Sequence, residues 1–74
     1  MQRYFFDLVD RAKAEFDYRG CELTTPERAL RRAELIAIDE STQRAGWQVT
    51  VSDAAGQIYF CVPVKELPEL AILT

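Results

Sequence analysis

Two aspartates, Asp7 and Asp17, are the side chains in this chain best placed to do chemistry. If the segment 3–9 is a strand and Leu8 pairs with Phe16 on a second strand, Asp7 and Asp17 stand opposite each other on the outer face of a sheet. Like charges opposed in this way are destabilising unless something answers them. A hard cation such as calcium or magnesium would answer them. So would a shared proton, which raises one pKa and makes an acid–base pair. A diagonal Arg3 or Arg19, or capping of the following turn by Asp17, would answer them with no chemistry at all. The chain contains no histidine, so the commonest general base and metal ligand is missing, and Cys–His or Ser–His nucleophile pairs cannot be built within it. Its three glycines stand apart, which leaves no phosphate loop or dinucleotide fingerprint. Cys21 and Cys61 cannot complete a four-ligand zinc site by themselves. No cofactor is expected, and the chain reads as non-enzymatic.

A second cluster is cationic. Arg28, Arg31 and Arg32 fall in the first half of a predicted helix, and Glu34, Asp39 and Glu40 in its second half. That order opposes the helix dipole, which favours acids first and bases last. Glu27 four residues before Arg31 softens it slightly. The arginines form either an ordinary solvated face or a patch for an acidic partner or nucleic acid, and the second alternative would make the protein a regulatory partner.

These groups have to be held by a few short elements. Residues 3–9 are rich in aromatic and branched side chains and read as a strand, with Tyr4, Phe6 and Leu8 in one row and Phe5, Asp7 and Val9 in the other. Residues 14–18 read as a second strand, and Asp17-Tyr18-Arg19-Gly20 as a turn. Cys21-Glu22-Leu23 is an extended lead into the helix. Thr24 with Glu27 matches a capping box, while Thr25 followed by Pro26 offers an overlapping cap with proline at the first helical position. The helix is expected to reach about Arg44, with Gly46 as the stop. Ala29, Leu30, Ala33, Ile36 and Ala37 make its buried stripe. Residues 47–52 and 57–62 read as a closing hairpin around Asp53-Ala54-Ala55-Gly56, with Trp47, Val49, Val51, Ile58, Phe60 and Val62 inward. The fold class that follows is α+β: a four-stranded, mainly antiparallel sheet with one helix on one face, in the order ββαββ.

Seventy-four residues make one domain, with a core over 3–63 and an apolar tail over 64–74. A chain this short buries only about 60% of its unfolded surface, so it is marginal alone. The net charge of −3 gives no electrostatic footprint for duplex nucleic acid or an anionic membrane. No apolar run approaches the length of a membrane span. The opening Met1-Gln2-Arg3-Tyr4 passes straight into strand-like sequence, so a cytoplasmic protein with two reduced thiols is expected.

Arg3-Tyr4-Phe5-Phe6-Asp7-Leu8, the Asp17-x-x-Gly20-x-Glu22-Leu23 step, the alanine-bearing helix, Val51-x-Asp53-x-x-Gly56 and Val62-Pro63 together have a recognisable pattern. It resembles a domain-of-unknown-function family of very short proteins, abundant in rhizobia and related soil alphaproteobacteria. The resemblance covers residues 3–63 and implies a bacterial protein with no activity that can be carried over. The apolar extension after Val64 departs from the family's abrupt ending.

One helix covers one face of a single sheet. Phe5, Tyr59 and Cys61 are then expected on the bare face, and Leu35 and Ile38 on the helix's outer side. Leu70, Ile72 and Leu73 add apolar surface in the tail. Aromatics on an open sheet can stack nucleic-acid bases, but no basic row accompanies them here. Burial against a second copy, as a homodimer, is the expected use of these surfaces, with an unknown protein partner as the alternative.

Overall fold

The computed structural model describes residues 1–66. Leu70, Ile72 and Leu73 of the expected interface lie outside them. Strand β1 (Gln2–Val9) is the spine of an antiparallel sheet and pairs with β2 (Ala14–Glu15) and β3 (Cys21–Leu23) along one edge, and with β4 (Gln48–Asp53) along the other. Strand β5 (Ile58–Pro63) pairs with β4 and forms the far edge. Helix α1 (Pro26–Asp39) lies across one face. The architecture is the expected α+β sheet and helix with five strands rather than four, because the extended lead Cys21–Leu23 joins β1 as a strand of its own.

The core is thin and depends on small residues. Ala29, Ala33 and Ala37 are the buried residues of α1, one per turn, and they let the helix settle close to Tyr4, Phe6, Val49 and Val51. Val49 and Val51 are the largest side chains to be fully buried. Burial of each contributes roughly 1.5–3 kcal/mol. Val64 is also buried, and its N–H and carbonyl bond to Trp47 and Gly46, so the packed region continues one residue past β5.

Several local expectations are corrected. Strand β2 ends at Glu15, and Leu8 pairs with Glu15 instead of Phe16. A slip of one residue exchanges the faces of a strand. Glu15 therefore points to the helix side, where Arg44 forms an ion pair with it, and Phe16 is 58% exposed. At the other hairpin, Val51 pairs with Phe60 but Ser52 pairs with Ile58, so Tyr59 is a bulged extra residue. The bulge turns Ile58 outward and Tyr59 inward, the reverse of simple alternation. The helix cap is Thr25, whose hydroxyl oxygen accepts the Arg28 N–H, with Pro26 at the first position, so the Thr24 capping box is not used. The helix stops at Asp39, short of Arg44. Glu40 leaves helical geometry, and Ser41 turns both its N–H and its hydroxyl back onto the Ile38 carbonyl. Arg44 then pairs with Glu40 and Glu15 and lies over the Trp47 ring, tying the end of the helical region to edge strand β2 and to the start of β4.

Candidate functional site

The structure brings Asp7 and Asp17 together, but both Asp17 oxygens and one Asp7 oxygen accept backbone N–H groups. The N–H of Asp17 donates to Asp7 Oδ1 at 2.9 Å. Asp17 Oδ1 accepts the N–H groups of Arg19 at 3.1 Å and Gly20 at 3.0 Å. Asp17 Oδ2 accepts the N–H of Phe6 at 3.2 Å. Strand β1 has no strand partner opposite Phe5–Asp7 on this edge, between β2 and β3. Asp17 fills that gap and acts as a buckle, supplying the acceptor that an uninterrupted strand would have provided.

Burial acts to raise the Asp17 pKa. The N–H groups of Gly20, Phe6 and Arg19 and the charge of Arg32 outweigh it, so the carboxyl stays below its ordinary value. Asp7 is not among the causes of this shift, whereas in a proton-sharing dyad the neighbouring carboxylate is the perturbing charge. Among the described residues no group of three or more Asp, Glu, Cys or His side chains is placed to hold a metal ion. The arrangement matches turn capping by Asp17, the reading that needs no chemistry.

Gly20 closes the same turn. It has φ +71°, and a Cβ there would meet Arg3 Cγ at 2.8 Å, Phe5 Cε1 at 2.9 Å and the Tyr4 carbonyl at 2.9 Å. Glycine is needed both for the backbone angle and for the close approach to β1.

Asp53 repeats the device at the second hairpin. Its Oδ1 accepts from Ala55 and Gln57, both at 2.9 Å, and its Oδ2 accepts the Tyr59 hydroxyl proton at 3.1 Å. The Gln57 N–H is the largest cause of a lowered Asp53 pKa, and the Tyr59 hydroxyl and the N–H groups of Ala55 and Gly56 add to it against desolvation. Tyr59 also accepts from Gln2 Nε2 at 3.0 Å and packs edge-on against Tyr4, with ring centroids 5.5 Å apart. Tyr59 is thus a half-buried strut on the helix side and leaves the expected interface set. Only the bulge places it there, and no local pattern announces a bulge.

The other expected interface residues divide into two surfaces on opposite sides. Phe5 and Cys61 lie on the sheet face away from α1, with Phe5 half-buried over Gly20, Cys61 exposed, and Ile58, at 60% exposure, in the place expected for Tyr59. Both thiols are free. Leu35 and Ile38 lie on the outer side of α1 and are 59% and 62% exposed. Beside them Arg28, Arg31 and Arg32 are exposed, and none has an ion pair among the described residues. Arg32 extends over the Phe6 ring at 5.9 Å, near Asp17. Arg28 and Arg31 point away from the sheet. No helix among the described residues is long and apolar enough to cross a membrane.

The family model with the description Domain of unknown function (DUF6894) matches residues 3–65. No curated protein and no solved structure matches the chain.

Proposed function

We propose, for a chain that belongs to the DUF6894 family, a non-enzymatic role as a small interaction module that associates with copies of itself, as a homodimer. The observation that carries this reading is the exposure of large apolar side chains on both outer sides of a thin protein: Leu35 and Ile38 on the helix, Ile58 on the sheet. A domain that buries so little when folded gains most by covering such surface. The use of both oxygens of Asp17 and of Asp53 as acceptors supports the non-enzymatic side of the proposal, because it leaves these carboxylates little freedom to bind or to move a proton. The two free thiols suit a reducing compartment such as the cytoplasm.

Light scattering on the full chain tests this. The expected mass is about 17 kDa, twice the 8.5 kDa of one chain. A mass of one chain at concentrations up to hundreds of micromolar would refute the proposal.

A further inference from the structure

The charge order along α1 is costly for the isolated chain. Arg28, Arg31 and Arg32 crowd the N-terminal half, Asp39 and Glu40 close the C-terminal half, and no basic residue stands in the last turn. Arg28 in the first turn and Asp39 in the last each cost roughly 0.3–1 kcal/mol, an effect that fades beyond the terminal turns. Glu27 in the first turn offsets this only in part: Arg28, Arg31, Glu34 and Asp39 make no ion pair, and of the helix charges at issue Glu40 alone has a partner, Arg44. A helix with cations first and anions last fits one object well, an antiparallel copy of itself. We infer that the outer face of α1 is a docking surface for the same face of a second copy of this chain, packed antiparallel about a two-fold axis at Leu35. This rests on the self-association proposed above and specifies which surface performs it.

The spacing supports that register. At 100° per residue, Arg28, Arg31, Leu35, Ile38 and Asp39 fall within an arc of about 100° opposite the alanine stripe. They form one face, and its apolar members Leu35 and Ile38 are the exposed ones. A two-fold at Leu35 sets the two Leu35 side chains against each other. Arg31 and Asp39 lie four residues either side of Leu35, so each Asp39 comes level with the partner copy's Arg31, about 6 Å from the axis. The contact is isologous, so it closes as a dimer and does not propagate. One helix face is smaller than the roughly 800 Å² per partner of a standard interface. The dimer is therefore weak and loosened by salt.

Sedimentation equilibrium on the full chain, with Arg31→Glu, Asp39→Arg, the double variant and Leu35→Ser, tests the inference. Arg31→Glu and Asp39→Arg each place like charges across the axis and should weaken the dimer by about tenfold or more. The double variant should recover to within about threefold, because the exchanged charges pair again across the axis. Leu35→Ser should weaken it as strongly as either single charge reversal. Asp39→Arg moves charge in the direction the helix dipole favours, whereas Arg31→Glu sets a like charge four residues after Glu27, so circular dichroism of each variant separates lost folding from lost dimer. A dimer indifferent to all four variants overturns the helix inference but leaves self-association standing through the sheet face. Single reversals that weaken the dimer with no recovery in the double variant overturn the antiparallel register. A wild-type chain that stays monomeric overturns both proposals.

Discussion

Replacing Asp17 with asparagine separates a structural buckle from a site that does chemistry. The carbonyl oxygen of an asparagine can keep the two turn bonds from Arg19 and Gly20, now held at 3.1 and 3.0 Å. Its amide then faces the Phe6 N–H, which bonds to Asp17 Oδ2 at 3.2 Å. A donor meets a donor, and a partly buried N–H of β1 is left without an acceptor. Hydrogen bonds to a charged group contribute about 1.5–3 kcal/mol, so the expected loss is about 2 kcal/mol. A domain of 74 residues has about 4–11 kcal/mol in all, and a urea slope of about 1 kcal/mol per molar makes the loss a midpoint shift of about 2 M. Trp47, the single tryptophan, packs against the core and reports the transition by fluorescence. Asp7→Asn is the control. Asp7 accepts one N–H, from Asp17, which an asparagine oxygen can also accept, so its cost should stay below about 1 kcal/mol. The pH dependence has a definite sign. Asp17 has a lowered pKa in the folded chain, so its contribution is fully present above the unfolded value of about 3.9 and is lost as pH falls through the folded value. The gap between wild type and Asp17→Asn should therefore be full at neutral pH and close in strong acid. Equal costs for the two substitutions, with stability that responds to calcium or magnesium, would refute the buckle and restore the paired-carboxylate site. A cost below about 0.5 kcal/mol for Asp17→Asn at pH 7 would also refute the buckle, because a bond of the kind described cannot be worth so little.

Gly20→Ala should destabilise by about 2–5 kcal/mol, the sum of a left-handed backbone penalty and forced contact with β1. Gly56→Ala, at φ +87° with nothing within 4 Å, should cost only about 1–2 kcal/mol; equal urea midpoints for the two would remove the close-approach argument. Tyr59→Phe keeps the ring against Tyr4 but loses the bonds to Asp53 and Gln2, and should lower stability by about 1 kcal/mol in thermal unfolding, whereas an unchanged midpoint would mean that those bonds contribute nothing.

What could be read from the sequence was set by local chemistry. Thr25 before Pro26 marks a helix start, and three alanines at a spacing of four mark its buried stripe. Each Asp-x-x-Gly step marks a turn, because aspartate can cap what glycine closes. The paired-carboxylate question was legible as well, since Asp7 and Asp17 do meet. Its answer was not, because it depends on a ladder that ends at Glu15, one residue before the expected pairing. Tyr59 was misplaced for a related reason. One bulged residue exchanges two faces, and adjacent aromatic and branched side chains such as Ile58-Tyr59-Phe60 look equally at home either way. The helix end was hidden because residues 40–44 contain neither glycine nor proline. The turn there comes from Ser41 bonding back to Ile38 and from Arg44 reaching two acids, one of them 29 residues away in sequence.

The most direct test of the central claim is the mass of the full chain in solution across a concentration series, by sedimentation equilibrium at low and at high salt. The account predicts a reversible monomer–dimer equilibrium between 8.5 kDa and about 17 kDa, shifted toward monomer by salt. A single species at the mass of one chain throughout the series would contradict it.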